Sequence, residues 1–279
     1  MITAHTKLAG LIGNPVGHTL SPSMHNAGFK HLGIDCRYLA FDVKPEMLGD
    51  AIRGIRALNF IGANITIPYK EKVIQLLDDM HGEIHEEARF IGAVNTIVND
   101  GGRLIGHNTD GRGFMKSLEE SRVTIRNKRV FVAGAGGAAK AITYYIAKEA
   151  AELRIFDIDT VKLDTLVRDL KKINPEVHAE SSANAVTNSD ILINATPLGL
   201  HLGDPIPIDK TLLKKGIIVC DVIYKDTPLL IEAKKLGCKT VNGLGMLFWQ
   251  GVIAFELWTQ TIAPDEVMFN ALMTSYNRL

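Results

Sequence analysis

The clearest chemical pattern in this 279-residue chain is a glycine-rich turn near its middle, where Gly134, Gly136 and Ala139 have the spacing G-x-G-x-x-G/A. That spacing allows a tight turn, leaves the backbone open to a pyrophosphate, and lets a helix pack closely on the preceding strand. The next apolar run ends at Asp157, where a Rossmann-type site binds the ribose 2′-hydroxyl. Methyltransferases and purely structural turns use similar glycines, but the added acid favours a dinucleotide site.

Four polar clusters before the glycine-rich turn could bind a small polar molecule. Ser21 and Asp110 stand where helices are predicted to begin, so each could serve only as an N-cap. Lys70 is predicted at a helix start, where its charge opposes the helix dipole; this argues for a functional role, with a surface lysine as the alternative. Asn95 lies in an apolar run and could equally be a buried structural amide. The clusters are residues 18–22, 64–70, 92–96 and 106–111.

The elements that must position these residues divide the chain into two domains. We predict N-terminal strands at 7–13, 36–43, 60–67, 93–99 and 103–106, and helices at 21–32, 45–57, 70–77 and 83–90. We predict later strands at 130–133, 153–157, 191–194, 217–221 and 239–241, and final helices at 246–261 and 264–276. The expected fold is α/β. An N-terminal α/β substrate domain, 1–109 completed by helices of 246–279, joins a Rossmann-type doubly wound parallel-sheet dinucleotide domain, 110–245.

Composition points to an enzyme of small molecules. The chain has 31 Lys and Arg against 31 Asp and Glu, so no general field favours nucleic acid or a membrane surface. No apolar run reaches the roughly 18 residues of a membrane span, and no signal peptide is recognisable, so we expect a cytoplasmic protein. Three distant cysteines indicate neither a disulfide framework nor a zinc site, and we predict no metal. The expected assembly is a monomer or homodimer.

In this order, the polar clusters and the glycine-rich turn closely resemble the shikimate dehydrogenase family, including its quinate/shikimate branch. The resemblance covers nearly the whole chain. It implies reversible hydride transfer between a nicotinamide cofactor and C3 of shikimate, with 3-dehydroshikimate as the ketone, and the same reaction on quinate. The matching stretches are Gly13-Asn14-Pro15, 18–22, His25-Asn26, 62–71, 92–96, 108–111, 134–138, 194–196 and 243–247 with Gln250.

The resemblance also implies roles for single residues. Lys70 and Asp110 become the catalytic pair, because oxidation needs a base for the hydroxyl proton as the hydride leaves carbon. The other implied roles are substrate binding by Thr19, Ser21, Thr66, Asn95, Tyr224 and Gln250, and cofactor binding by Gly134, Gly136, Gly137, Ala138, Asp157, Thr196, Gly243 and Met246.

Two departures from the family pattern bear on specificity. NADP-dependent members show Asn-Arg-Thr after the second Rossmann strand, whereas this chain has Asp157-Ile158-Asp159, so we expect NAD to be preferred and NADP to be less favoured. Thr19 replaces the first serine of the family's pattern, which leaves open whether shikimate or quinate is the preferred substrate. A dehydrogenase of an aminated shikimate and a non-catalytic nucleotide-binding module are the alternatives, and retention of both Lys70 and Asp110 argues against the second.

Overall fold

The computed structural model describes residues 2–201 and 203–278, so Met1 and Leu279, the outer ends of the predicted substrate domain, lie outside the described residues. The chain divides into two compact units. The first unit comprises Met1–Thr109 and Gln250–Leu279, and the second comprises Asp110–Trp249. Both units combine helices with a sheet, which confirms the predicted α/β class.

The strands are β1 (Lys7–Gly13), β2 (Cys36–Asp42), β3 (Gly62–Ile65), β4 (Glu83–Ile84), β5 (Thr96–Asp100), β6 (Arg103–His107), β7 (Arg129–Ala133), β8 (Glu152–Phe156), β9 (Val177–Ala179), β10 (Ile191–Asn194), β11 (Ile218–Asp221) and β12 (Lys239–Val241). The helices are α1 (Ser21–His31), α2 (Leu48–Ala57), α3 (Lys72–Asp79), α4 (Glu86–Ile91), α5 (Asp110–Glu120), α6 (Gly137–Glu149), α7 (Thr160–Leu170), α8 (Pro228–Lys235), α9 (Leu244–Thr259) and α10 (Asp265–Tyr276).

The sheet of the first unit is mixed, in the order β2-β1-β3-β5-β6-β4. β1 lies parallel to β2 and β3, whereas β5 is antiparallel to β3 and β6. Gly101 and Gly102 connect β5 to β6 with φ angles of +57° and +98°, which other residues rarely adopt. Helix α2 buries Leu48, Ile52 and Ile55 at helical spacing against this sheet's core.

The sheet of the second unit is entirely parallel, in the order β12-β11-β10-β7-β8-β9. This is the Rossmann order, with its reversal between β7 and β10. Helices on both faces cover such a sheet, which is why β7 and β10 are almost continuous apolar runs. The predicted doubly wound domain is therefore confirmed, with β9 as an additional edge strand that the sequence pattern did not predict.

The structure corrects several predicted elements in the first unit. Lys70 was predicted at a helix start, but α3 begins at Lys72 with Glu71 as N-cap, so Lys70 lies in the preceding turn. Asn95 was predicted inside a strand, but it directly precedes β5. Residues 83–90 form a short strand followed by a helix, because residues 83 and 84 pair with β6. Among the described residues, no helix is both long and apolar enough to cross a membrane.

Candidate active site

The glycine-rich turn connects β7 to the N-terminus of α6. Gly134 has a φ of +110°, and a Cβ atom there would lie 2.8 Å from the Ala195 carbonyl oxygen, so the turn requires glycine. At Gly136 and Gly137 a Cβ atom would meet nothing within 4 Å, so this backbone faces open space. Gly136 is the N-cap of α6 and provides no side-chain cap. The helix dipole and the first-turn N–H groups, including that of Ala138, suit an anion such as a pyrophosphate.

Asp157 follows β8 and is held by the glycine-rich turn. Its Oδ2 accepts a hydrogen bond of 2.6 Å from the Ala135 N–H, and its Oδ1 accepts one of 2.8 Å from the Asp159 N–H. These bonds orient the carboxylate and leave each oxygen a further lone pair. Asp157, Gly134, Gly136 and Thr196 line one cavity of about 350 Å³.

The charges around this cavity are unevenly distributed. Ile158 lines the cavity with an exposed fraction of 92%, so an exposed apolar side chain borders it. Lys162 lines the cavity too, and its Nζ lies 2.9 Å from Asp159 Oδ2. The Lys162 ammonium lowers the pKa of Asp159, so the two charges form an ion pair. Asp157 therefore supplies a carboxylate to this cavity beside the Lys162–Asp159 ion pair.

Thr196 is fixed by a polar network at the ends of β10 and β11. Its N–H and hydroxyl both donate to Asn194 Oδ1, at 3.0 and 2.7 Å. The buried Asp221 carboxylate accepts from Asn194 Nδ2 at 3.0 Å and from the Thr227 hydroxyl at 2.8 Å. Burial raises the pKa of Asp221, while these hydrogen bonds oppose the rise. Sequence reasoning missed Asp221, although an acid that ends an apolar strand is a detectable signal.

Tyr224, Gly243 and Met246 follow the same edge of the second sheet. A Cβ atom on Gly243 would lie 2.0 Å from the Val222 carbonyl oxygen, so only glycine allows this close approach. The Gly243 N–H donates at 2.9 Å to the carbonyl of Ile223, the residue that precedes Tyr224 in the chain. Met246 is buried in the first turns of α9, and Tyr224 is half-buried.

Backbone hydrogen bonds in the first unit bring together three predicted residues. Thr66 follows β3, and its N–H donates to the Ile12 carbonyl at 2.9 Å. The carbonyl of Lys70 accepts from the Val94 N–H at 2.8 Å, and the carbonyl of Asn95 accepts from the Ile65 N–H at 2.8 Å. Thr66 and Lys70, from the segment between β3 and α3, thus lie with Asn95, which precedes β5, at one edge of the first sheet.

Thr19 and Ser21 lie together before α1. The Thr19 hydroxyl donates to Ser21 Oγ at 3.2 Å, and the Ser21 N–H donates to Thr19 Oγ1 at 3.3 Å. The possibility that Ser21 serves as the N-cap is wrong, because Leu20 is the N-cap of α1 and makes no side-chain cap. Gln250 is half-buried and precedes Gly251, whose missing side chain makes room for Met24 of α1.

The predicted catalytic pair is split between the units. Lys70 is half-buried in the first unit, whereas Asp110 is buried at the first turn of α5 in the second unit. The Asn95 side chain is only 2% exposed and is hydrogen-bonded, with Nδ2 donating to Thr109 Oγ1 at 2.9 Å and Oδ1 accepting from the Thr109 N–H at 2.8 Å. Within residues 2–201 and 203–278, no group of three or more His, Cys, Asp or Glu could hold a metal ion.

The Rossmann strand order, the open glycine-rich turn and the acid after β8 define a dinucleotide-binding protein. Two family models match the chain: the shikimate dehydrogenase substrate binding domain over residues 11–97, and the shikimate 5′-dehydrogenase C-terminal domain over residues 243–273. The chain belongs to the shikimate dehydrogenase family, and it is an oxidoreductase.

Individual shikimate dehydrogenases are similar to nearly the whole chain. The chain is 44% identical to a shikimate dehydrogenase (NADP(+)) of Carboxydothermus hydrogenoformans, over 97% of this chain and 98% of that protein. Shikimate dehydrogenase from Aquifex aeolicus superposes with a TM-score of 0.90 at 39% identity, covering 97% and 99% of the two chains. Shikimate 5-dehydrogenase from Listeria monocytogenes, in complex with shikimate and NAD, superposes with a TM-score of 0.87 at 37% identity, covering 96% of each chain.

Proposed function

We propose that this protein is an NAD-preferring shikimate dehydrogenase, which transfers hydride reversibly between the nicotinamide cofactor and C3 of shikimate. The observation that carries the cofactor part is the Asp157 carboxylate, which two backbone N–H groups hold at the edge of the cavity beside the glycine-rich turn. The family relationship carries the substrate part. Preference for NAD departs from the NADP(+) in the name of the Carboxydothermus relative, so it depends on this chain's own residues.

The second unit provides the features that a dinucleotide needs. Gly134, Gly136 and Gly137 would hold the pyrophosphate, because their backbone is bare and α6 directs its N-terminus there. Asp157 would accept hydrogen bonds from the 2′- and 3′-hydroxyls of the adenosine ribose. When bound, the cofactor accepts or returns the hydride. Thr196, Gly243 and Met246 would line the remaining part of its site.

The residues predicted to bind substrate provide the groups that a polyhydroxylated carboxylate needs. The Thr19 and Ser21 hydroxyls would bind the carboxylate together with Tyr224, and Thr66, Asn95 and Gln250 would bind ring hydroxyls. Lys70 would take the proton of the C3 hydroxyl during oxidation and return it during reduction. Asp110 would hold the Lys70 ammonium in place when the lysine carries that proton.

A 2′-phosphate would meet unfavourable charge at this site. Two unit charges about 4 Å apart repel by roughly 4 kcal/mol at an effective dielectric constant near 20, and solvent and salt reduce this to about 1 to 3 kcal/mol in an open groove. Lys162 is paired with Asp159, and Ile158 offers no hydrogen bond. We therefore expect kcat/KM to favour NAD over NADP by about tenfold to hundredfold.

Initial rates with both cofactors at saturating shikimate test this proposal. A higher kcat/KM for NAD is the expected result. Equal values, or a lead for NADP, would overturn the assignment of Asp157 as the ribose ligand and leave the shikimate reaction standing. Absence of a shikimate-dependent rate with either cofactor would overturn the proposed reaction itself.

A substrate panel tests the finer specificity. Quinate carries the carboxylate and ring hydroxyls of shikimate plus one hydroxyl on the carboxylate-bearing carbon, close to where Thr19 and Ser21 would bind. We propose that quinate is also oxidised, and a rate with quinate indistinguishable from the rate without substrate would refute this. An aminated shikimate analogue completes the panel, and a higher kcat/KM for it than for shikimate would favour the alternative that the protein is a dehydrogenase of an aminated shikimate. The cytoplasmic location and the monomer or homodimer stay predictions from the sequence.

A further inference from the structure

The pair His25-Asn26 is part of the family pattern but has no role among the residues assigned above. In the structure both residues hold Tyr38 of β2. Asn26 Nδ2 donates to the Tyr38 carbonyl at 2.9 Å, and the Tyr38 N–H donates to Asn26 Oδ1 at 2.9 Å. The His25 ring stacks on the Tyr38 ring with centroids 4.4 Å apart and planes inclined by 18°. Both the backbone and the ring of Tyr38 are therefore fixed.

The Tyr38 hydroxyl is fully buried and connects two polar groups. It donates to Asn64 Oδ1 at 2.8 Å, and a hydrogen bond joins it to the Ser21 side chain. Burial raises the pKa of Tyr38, so the phenol keeps its proton and stays a donor. Ser21 in turn accepts the hydrogen bond from Thr19. On this side, Tyr38 reaches the two hydroxyls assigned to the substrate carboxylate.

The connection continues from Asn64 to Asn95. Asn64 Nδ2 donates to Thr96 Oγ1 at 3.0 Å, and the Thr96 hydroxyl donates to Asn95 Oδ1 at 3.0 Å. Asn64 Nδ2 also lies 3.3 Å from the Asn95 carbonyl oxygen. A connected series of hydrogen bonds thus runs from Thr19 through Tyr38 to the Asn95 side-chain amide, which is assigned to a ring hydroxyl.

We propose that Tyr38 is a positioning residue for the substrate, which holds the carboxylate-binding hydroxyls and the ring-binding amide in a fixed relation. The inference rests on the proposed function, because that function assigns Thr19, Ser21 and Asn95 to the substrate. Without the phenol hydroxyl, the buried Asn64 carbonyl oxygen loses a donor and the Ser21 hydroxyl loses a partner that orients it. Binding then has to order groups that the wild-type chain already holds in place.

Tyr38→Phe in the full chain tests the proposal, because it removes one oxygen and retains the ring stack. The expected result is a KM for shikimate raised by roughly tenfold, with the KM for NAD unchanged, because groups that bind substrate lose orientation while the cofactor residues are untouched. Tyr69→Phe is the matched control. Tyr69 is equally buried, and its hydroxyl donates to the Val43 carbonyl, which is not part of this series of hydrogen bonds. It is expected to lower the melting temperature and leave both KM values unchanged.

A KM for shikimate within twofold of wild type, a parallel rise in both KM values, or the same rise in Tyr69→Phe would each overturn the proposal. If Tyr38→Phe does not fold, Thr96→Val breaks the same connection further along and must raise the KM for shikimate in the same way. If wild type oxidises shikimate and Tyr38→Phe has the same KM for shikimate, this inference alone is refuted. A wild-type chain without shikimate-dependent activity would refute the proposed function and this inference with it.

Discussion

Stability is predicted to fall between pH 7 and pH 5 because His25 is buried as a neutral group. Its side chain has no exposed surface, and neither ring nitrogen has a hydrogen-bond partner among the described residues. Three aromatic rings surround it, those of Tyr38, Trp258 and Phe255, with centroids at 4.4, 5.2 and 6.3 Å. Burial without a compensating charge lowers the pKa of His25 to about 3, from 6.5 for an exposed imidazole.

The sign and size of the effect follow from these two pKa values. Below pH 6.5 the unfolded chain binds a proton at His25 that the folded chain does not bind, so acid favours unfolding. The contribution of neutral His25 to the free energy of unfolding is fully present above pH 6.5 and is lost progressively as the pH falls towards 3. Integration from pH 7 to pH 5 gives a loss of about 2 kcal/mol in the free energy of unfolding from this one group.

Urea unfolding followed by tryptophan fluorescence at both pH values measures this loss. The variant His25→Phe keeps an aromatic ring against Tyr38 and removes the titration, so its loss between pH 7 and pH 5 is expected to be smaller by about 2 kcal/mol. His5→Gln, at an exposed position, is the control and is expected to behave as wild type. The same pH dependence in His25→Phe and wild type would refute the neutral, buried state of His25.

Three further predictions concern the assigned site. Asp110→Asn is expected to lower kcat by about a hundredfold or more while circular dichroism stays unchanged, because the amide keeps the size of the buried side chain but cannot hold an ammonium; loss of the fold would indicate a structural role instead. The double variant Asp157→Asn with Ile158→Arg is expected to lower the NAD to NADP ratio of kcat/KM by at least about tenfold, since it removes a carboxylate and adds a guanidinium, and an unchanged ratio would contradict this. Gly134→Ala is expected to cost about 1 to 3 kcal/mol in thermal unfolding because of its φ of +110°. Gly17→Ala, where a Cβ meets nothing within 4 Å, is the control, and equal melting temperatures for the two variants would refute the strain.

The sequence was sufficient to predict the fold class because its signals are local. The apolar run of β10 and the glycines after β7 identify a strand and a turn without knowledge of their neighbours. The edge strand β9 could not be predicted in this way, because it has three residues and a polar His178 at its centre. Short edge strands depend on pairing with a neighbour, here β8, more than on their own pattern.

The predicted residues of the site were found by their types, but their environments required the structure. Ser21 has the sequence of an N-cap, yet its N–H and hydroxyl both bond to Thr19. The contact between Tyr38 and Asn64 joins residues 26 positions apart, and no local pattern encodes it. Asp221 shows the opposite case. An acidic residue at the end of an apolar strand is visible in the sequence, but Asp221 was not among the predicted site residues.

The most direct test of the proposed function is the initial rate of NADH formation from NAD and shikimate, compared between wild type and Lys70→Ala. We predict a shikimate-dependent rise in NADH absorbance for wild type. For Lys70→Ala we predict a kcat lower by roughly 10² to 10⁴, the usual contribution of a positioned acid or base. No shikimate-dependent signal in wild type with either cofactor, or a variant that retains more than about a third of the wild-type kcat, would contradict it.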